Sequence, residues 1–187
     1  MSKSYEALGT RKLRLATCSL AGCFGCHMSF VDIDEALIDL ADIVEFNRSP
    51  LTDIKHAENC DVGLIEGGIC NADNIEVLKE FRQQCKILVA VGACAINGGV
   101  PALRNHFDLQ ACLEEVYLHG KGVVNPQIPS DPELPLLTRK VYPLHEVVNV
   151  DYFLPGCPPP AEAFLEIIKA ISQGREPQLA YTLRRFD

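Results

Sequence analysis

Four cysteines in glycine-rich segments are the residues of this sequence whose type and spacing point to chemistry. Cys23 and Cys26 lie in the segment Gly22-Cys23-Phe24-Gly25-Cys26, whereas Cys94 and Cys157 lie in two distant segments. Thiolates bind soft metal ions, and four of them brought together make either a zinc site or a cubane iron–sulfur cluster. The neighbouring glycines let backbone amides approach inorganic sulfides and donate hydrogen bonds to them.

The spacing of these cysteines favours a cluster over zinc. Structural zinc is usually bound by two close cysteine pairs, each of the form C-x-x-C. This chain has one such pair. Cys94 follows Cys26 by 68 positions, and Cys157 follows Cys94 by 63 positions. Pro158 also shields Cys157 from water. We therefore predict that Cys23, Cys26, Cys94 and Cys157 bind the metal, with a structural zinc scaffold as the alternative.

The other five cysteines are not predicted to be ligands. Cys60, Cys85 and Cys112 have no adjacent glycine and are expected to be small buried hydrophobic residues. Cys70 follows Glu66-Gly67-Gly68 near the predicted site. Cys18 precedes Cys23 with the spacing of a plant-type ferredoxin, which makes a two-iron cluster a further alternative. That alternative leaves either Cys94 or Cys157 without a role.

Two polar residues beside the predicted ligands have open roles. Glu66 is expected to end a parallel strand at the ligand edge, where burial would raise its pKa into the range of a proton carrier. The alternative is a carboxylate that accepts hydrogen bonds from nearby amides. His27 follows Cys26 directly and is expected to contact either a partner or the start of a helix.

Repeated units of strand, loop and helix are predicted to position these loops. A short strand at 13–17 leads into the first cysteine segment. One helix face is formed by Ile33, Leu37, Leu40, Ala41 and Val44, with Asp32 or Asp34 available as its cap. Further strands are predicted at 43–46, 62–65 and 87–91, and a further helix at about 73–84.

The C-terminal part completes the same pattern. Four prolines between residues 120 and 143 predict an irregular excursion without a regular element. A last strand is expected at 147–154, followed by a helix that buries Phe164, Ile167, Ile168 and Ile171 and has proline at its start. The repeated units predict an α/β fold, a flavodoxin-like three-layer domain with a parallel sheet, whose ligand site lies at the carboxyl edge of the strands.

Composition and charge limit the class of protein. The 187 residues, of which 48% are hydrophobic, predict a single domain over 1–187, with a core at about 11–175 and short tails. A net charge of −8 provides no basic surface for nucleic acid. No apolar stretch approaches the roughly 18 residues of a membrane span. The start, Met1 to Leu8, shows no export signal, so nine cysteines are expected in a reducing cytoplasm.

Four motifs of the sequence together resemble those of a known protein family. The sequence resembles the small subunit of nickel–iron hydrogenases, and more narrowly the short delta-type subunit of the soluble NAD-reducing hydrogenase. The resemblance is carried by Gly22-Cys23-Phe24-Gly25-Cys26-His27-Met28-Ser29-Phe30, Glu66-Gly67-Gly68-Ile69, Gly92-Ala93-Cys94-Ala95-Ile96-Asn97-Gly98-Gly99 and Pro155-Gly156-Cys157-Pro158-Pro159.

The resemblance implies a role in electron transfer. The four cysteines would hold the proximal [4Fe-4S] cluster, beside the nickel–iron centre of a large subunit. Electrons from hydrogen would pass to diaphorase subunits that carry FMN, NAD and further iron–sulfur clusters, in the reaction H2 + NAD+ = NADH + H+. No cysteine follows Cys157, so one cluster is expected in this chain, and no residue of it would break bonds alone.

Three related alternatives stay open. The cluster subunit of respiratory Complex I shares the fold but has tandem cysteines where this chain has Cys23-Phe24-Gly25-Cys26, which favours hydrogenase. A hydrogenase linked to factor F420 or ferredoxin would have a similar small subunit. A flavodoxin-like flavin carrier is less favoured, because the first loop, which would bind the FMN phosphate, carries the predicted cluster ligands.

Overall fold

Five parallel strands form the central sheet. The structure is a computed structural model that describes residues 11–186, so the predicted tail at 1–10 and the start at Met1 to Leu8 lie outside the described residues. The strands of the sheet are β1 (Leu13–Ser19), β2 (Val44–Phe46), β3 (Cys60–Glu66), β5 (Cys85–Val91) and β7 (Tyr152–Leu154), in the order β2-β1-β3-β5-β7. A small antiparallel pair is formed by β4 (Ile69–Asn71) and β6 (Leu137–Tyr142).

Helices cover both faces of the sheet. They are α1 (Gly25–Val31), α2 (Ala36–Ile43), α3 (Ala72–Gln84), α4 (Gly92–Asn97), α5 (Leu109–Tyr117) and α6 (Ala161–Ser172), with short 3-10 helices at Val100–His106, Leu144–Glu146 and Tyr181–Leu183. Phe30 of α1 and Phe164 of α6 pack on one face, and Phe81 of α3 and Ala95 of α4 belong to the core on the other. The predicted flavodoxin-like three-layer α/β fold is confirmed.

The carboxyl ends of the central strands lie side by side. Ser19 pairs in register with Glu66, Glu66 with Val91, and Val91 with Leu154. The strand β3 is buried along its whole length, as a central parallel strand covered on both faces should be. Because each strand ends at the same level, the loops that follow β1, β3, β5 and β7 meet at one edge of the sheet.

The helix predicted from the apolar positions 33–44 is α2, which is shorter than the pattern indicates because it begins at Ala36 and ends at Ile43. A separate helix that was not predicted, α1, precedes it and ends at Val31. Asp34 adopts a left-handed backbone with a φ of 54°, which interrupts the helix. Neither Asp32 nor Asp34 caps α2, because Glu35 occupies the cap position without a side-chain hydrogen bond. Val44 belongs to β2.

The C-terminal half also differs from the prediction. Residues 120–143 were expected to lack regular structure, yet β6 lies there and pairs with β4. Pro135 and Pro143 flank β6 but do not interrupt it, so its amides are free to pair. The last strand, predicted at 147–154, is shorter, because only Tyr152–Leu154 joins the sheet. The helix α6 buries Phe164, Ile167, Ile168 and Ile171 as predicted, with Pro160 at its cap.

Candidate metal centre

The four predicted ligand cysteines line one cavity at the carboxyl edge of the sheet. Cys23 lies in the loop after β1, Cys26 in the first turn of α1, Cys94 in α4 and Cys157 in the loop after β7. The cavity has a volume of about 60 Å3. A cavity for one water molecule needs roughly 10–15 Å3, so this cavity has room for a group larger than one water molecule or one ion. Cys23 and Cys157 are exposed, and Cys26 and Cys94 are half-buried.

The four candidate ligands are residues of the cavity lining. In residues 11–186, no group of three or more His, Cys, Asp or Glu side chains is arranged to hold a single metal ion. A tetrahedral zinc site would need its sulfurs at about 2.3 Å from one centre. Four thiols are a donor set for a zinc ion or for an iron–sulfur cluster.

Backbone hydrogen bonds connect neighbouring loops at this edge of the sheet. The amide of Ala21 donates to the carbonyl of Gly68 at 3.0 Å, and the amide of Gly68 returns the bond at 2.8 Å. The amide of Ala93, next to Cys94, donates to the carbonyl of Gly156, next to Cys157, at 2.9 Å. These bonds connect the loop after β1 to the loop after β3, and the start of α4 to the loop after β7.

Glycine is required at the cavity wall beside Cys26. Gly92 has a φ of +79°, and a Cβ atom built on it would lie 2.5 Å from the Cys26 Sγ. Real Cβ atoms essentially never approach another atom so closely. Any larger residue at this position would therefore displace the Cys26 thiol.

The helix α1 is anchored at its first turns by polar contacts. The amide of Cys26 donates to Glu66 Oε2 at 2.9 Å, which satisfies one of the free amides of the helix start. Ser29 Oγ donates to the carbonyl of Pro159 at 2.5 Å and so connects α1 to the loop that carries Cys157. The amide of Gly25 donates to Cys23 Sγ at 3.4 Å. Amide donors of this kind tune a bound cluster.

Glu66 and His27 form a buried pair behind the cavity. Glu66 is 3% exposed and His27 is 5% exposed, and His27 Nδ1 lies 2.7 Å from Glu66 Oε1. Burial alone would raise the pKa of Glu66, but hydrogen bonds from His27 and Cys26 bring it below its ordinary value. The expectation of a raised pKa is therefore wrong, and the alternative of a carboxylate accepting an amide hydrogen bond is confirmed. His27 lies in α1 and is turned away from the surface.

The two half-buried thiols of the site, Cys26 and Cys94, have raised pKa values. Burial, and then the Glu66 carboxylate, raises the pKa of Cys26 well above its ordinary value. Burial and the neighbouring thiols of Cys157 and Cys23 raise the pKa of Cys94. A bound cationic group must therefore replace these protons, because only thiolates are metal ligands.

The remaining cysteines lie outside this cavity. Cys18 is buried in β1, and burial raises its pKa to about 11. Cys70 lies in β4 and donates to Asn74 Oδ1 at 3.3 Å. Cys60 and Cys85 are buried as predicted and sit opposite each other in β3 and β5. Cys112 is only half-buried, because α5 contributes no buried residue to the core.

Three polar residues of this region were missed by the sequence analysis. They are Thr17, Ser49 and Ser29. Thr17 Oγ1 lies 2.9 Å from His27 Nε2 and 2.7 Å from Ser49 Oγ, and the side chains of Thr17, His27 and Ser49 are buried. Nothing in the sequence separates these hydroxyls from other serines and threonines, because their partners are 10 to 130 positions away.

Comparisons with known proteins agree with this arrangement. The family model of the NADH ubiquinone oxidoreductase 20 kDa subunit matches residues 23–171. The NAD-reducing hydrogenase HoxS subunit delta of Cupriavidus necator is 46% identical over 191 residues, which covers 100% of this chain and 91% of that protein. The chain belongs to this family of hydrogenase small subunits.

Other members of the hydrogenase small-subunit family extend the comparison. A chain of a crystal structure of NAD+-reducing [NiFe]-hydrogenase in the H2-reduced state is 54% identical, with a TM-score of 0.93, and the match covers 95% of this chain and all of that one. The iron-sulfur subunit of the F420-non-reducing hydrogenase of Archaeoglobus profundus is 33% identical over 184 residues. That match covers 88% of this chain and 57% of the longer relative.

One general property of the chain concerns membranes. Among the described residues, no helix has the length and apolar character that crossing a membrane requires.

Proposed function

We propose that this chain is the electron-transfer small subunit of a cytoplasmic NAD-reducing [NiFe] hydrogenase, and that it holds one [4Fe-4S] cluster on Cys23, Cys26, Cys94 and Cys157. Its partners are the nickel–iron large subunit and the diaphorase subunits, and the reaction of the assembly is H2 + NAD+ = NADH + H+. The observation that carries the proposal is the meeting of these four thiols, from three separate loops, at one cavity.

The chemistry of the cavity supports a cluster. Its four sulfur donors are the ligand set of a [4Fe-4S] cluster, and its volume exceeds that needed by one ion. Gly92 leaves the space beside Cys26 that a side chain would fill. The name of the relative from Archaeoglobus profundus, an iron-sulfur subunit, agrees with this choice. The free thiols elsewhere in the chain are consistent with a reducing compartment.

A bound cluster would supply one-electron transfer, and the protein supplies its position and its surroundings. The loops bind it through the four thiolates, and the amide of Gly25 is placed to donate to the Cys23 sulfur. Gly156 and Pro158 line the cavity on either side of Cys157. Cys23 and Cys157 are exposed, so we propose that this side faces the nickel–iron large subunit.

The electron acceptor is the part of the proposal with a specific competitor. Relatives named F420-non-reducing hydrogenases share this domain, so another acceptor is the second candidate. The full-length match to the delta subunit of an NAD-reducing enzyme favours NAD+. We expect no flavin on this chain itself, because the loop after β1 is occupied by Cys23 and Cys26.

Native purification of the assembly under anaerobic conditions tests this function. We expect the chain to co-purify with a nickel-containing subunit and a flavin-containing subunit, and the complex to reduce NAD+ with H2. Four iron and four acid-labile sulfide per chain are expected for this subunit once it is separated from the others. A complex that reduces another acceptor with H2 but not NAD+ would contradict the assignment to NAD+. A colourless chain with one zinc and no sulfide would contradict the cluster.

A further inference from the structure

A line of buried polar side chains runs from the candidate metal centre into the protein. It consists of Ser49, Thr17, His27 and Glu66, which are between 2% and 5% exposed. Successive polar atoms are 2.7, 2.9 and 2.7 Å apart. Glu66 is the member that lines the metal-binding cavity, and its Oε2 accepts the amide of Cys26. We call this group the Ser49–Glu66 chain.

The hydrogen bonds of the Ser49–Glu66 chain are consistent with a single direction. A carboxylate only accepts, so His27 Nδ1 donates to Glu66. In the neutral imidazole, Nε2 then accepts from the Thr17 hydroxyl, and Thr17 in turn accepts from Ser49. The amide of Leu51 donates to Ser49 Oγ at 3.1 Å and completes the series. In the described residues, no buried side-chain nitrogen or oxygen lacks a hydrogen-bond partner.

His27 also contacts the loop between two of the ligands. Its ring stacks on Phe24 with 4.8 Å between the ring centres and 7° between the planes. Phe24 lies between Cys23 and Cys26 and adopts a φ of 66°, which is unusual for a residue with a side chain. One imidazole therefore touches Phe24 with its face, Glu66 with Nδ1 and Thr17 with Nε2.

These contacts place His27 between the rigid sheet and the ligand loop. Thr17 belongs to β1 and Glu66 to β3, two neighbouring strands in the sheet, whereas Phe24 and Cys26 belong to the loop and to α1. One oxygen of Glu66 accepts the Cys26 amide, and the other accepts from His27. Without the imidazole, the carboxylate would lose the bond that fixes its orientation, and Phe24 would lose its stacking surface.

We propose that His27 is a positioning residue, which fixes the Cys23–Cys26 loop by aiming Glu66 at the Cys26 amide and by supporting the Phe24 ring. The inference rests on the proposed function, because the loop is taken to hold a cluster. His27 touches neither the cavity nor a reacting atom, and it acts through Glu66 and Phe24. Residues that orient metal ligands in this way typically affect metal affinity or activity by about 10- to 100-fold.

Three variants in the full complex test the role of His27. The variant His27→Leu removes both hydrogen bonds, and we expect iron release to a chelator to be about 10- to 100-fold faster, with an altered EPR spectrum of the reduced cluster. The variant His27→Asn keeps a donor near Nδ1 and is expected to restore most of the wild-type spectrum. Thr17→Val preserves shape and removes only the hydroxyl, and we expect a smaller change in the same direction.

The matched control is Asp61→Asn, at the other end of the same strand. Asp61 is also a buried carboxylate of β3 that accepts a backbone amide, from Arg14 at 3.0 Å. We expect this variant to lower thermal stability without changing the EPR spectrum or the rate of iron release.

Two results would overturn the positioning role while the proposed function stands. The first is a wild-type chain with four iron whose spectrum and iron release are unchanged in His27→Leu and Thr17→Val. The second is an equal change in Asp61→Asn, which would show that loss of stability alone explains the effect. If His27→Leu does not fold, the comparison of His27→Asn and Thr17→Val with Asp61→Asn decides between these outcomes. A wild-type chain without iron would overturn the proposed function and this inference together.

Discussion

Replacing Gly92 by alanine perturbs the wall of the cavity at one atom. Gly92 has a φ of +79°, and the new Cβ would lie 2.5 Å from Cys26 Sγ, whereas ordinary contacts are 3.4–4 Å. Gly122 provides a matched control, because its φ is +84° and its Cβ would meet nothing within 4 Å. Both substitutions carry the same backbone cost, and only Gly92→Ala adds a steric clash at a predicted ligand.

The two costs can be estimated separately. A left-handed alanine costs about 1–2 kcal/mol, and about 0.4–1 kcal/mol is recovered from the lower entropy of the unfolded chain. Gly122→Ala should therefore lose about 1 kcal/mol of stability, or roughly 2–4 °C in Tm for a domain of this size. Overpacking adds about 1–3 kcal/mol at Gly92. We expect Gly92→Ala to lose about 2–4 kcal/mol and to displace Cys26.

Thermal unfolding and iron analysis of both variants, prepared side by side, measure these effects. We expect Gly122→Ala to bind as much iron and sulfide as the wild type. Gly92→Ala should bind clearly less, even at a temperature where it is fully folded. Equal Tm values and equal iron content in the two variants would refute the assignment of Gly92 to the wall of a cluster site.

The remaining predictions concern contacts that hold the sheet and the ligand loops in place. Burial alone would raise the pKa of Asp61, but Arg11, the Arg14 amide and Lys86 lower it to about 2. Its ionised form therefore stabilises the fold above its ordinary pKa, by about 2 kcal/mol. This stability is lost as the pH falls through about 2, so Asp61→Asn should be less stable at pH 7 and the difference should shrink between about pH 4 and pH 2 in unfolding experiments. Ser29→Ala should lower the free energy of unfolding by about 1–3 kcal/mol, because the buried Pro159 carbonyl loses its donor. We also expect this variant to release iron faster. An unchanged rate of iron release would show that this contact does not hold the Cys157 loop. Phe81→Ala should cost about 3–5 kcal/mol in denaturant unfolding but leave iron content intact, because Phe81 is fully buried in the core away from the ligand loops.

The local patterns of this sequence were sufficient to predict the sheet and the position of its ligand edge. The apolar run at 87–91 is a buried strand, and the glycine and cysteine segments follow the strands at their carboxyl ends. Parallel topology then brings Cys23, Cys94 and Cys157 together, although they are far apart in the chain. That four of nine cysteines would share a cavity could be inferred from glycine neighbours and spacing alone.

Features that depend on contacts distant in the sequence could not be predicted in this way. The strand β6 forms because it pairs with β4, about 70 positions earlier in the chain. Pro135 and Pro143 on either side of β6 favoured the prediction of irregular structure there. The later start of α2 accompanies the left-handed backbone of Asp34, which the periodicity of residues 33–44 does not indicate. Thr17 and Ser49 meet although they are 32 positions apart, and Thr17 in turn contacts His27, which is the partner of Glu66. Burial alone would raise the pKa of Glu66, and the hydrogen bond with His27, 39 positions away, lowers it.

Mössbauer spectroscopy and iron and sulfide analysis of the anaerobically purified chain test the central claim most directly. We expect one [4Fe-4S] cluster per chain, which is lost or converted to a form with less iron when Cys23, Cys26, Cys94 or Cys157 is replaced by serine. Cys70→Ser and Cys112→Ser, outside the cavity, should keep the wild-type spectrum. A spectrum that survives all four ligand substitutions, or that is lost in Cys70→Ser or Cys112→Ser, would contradict the assignment of the cluster to this cavity.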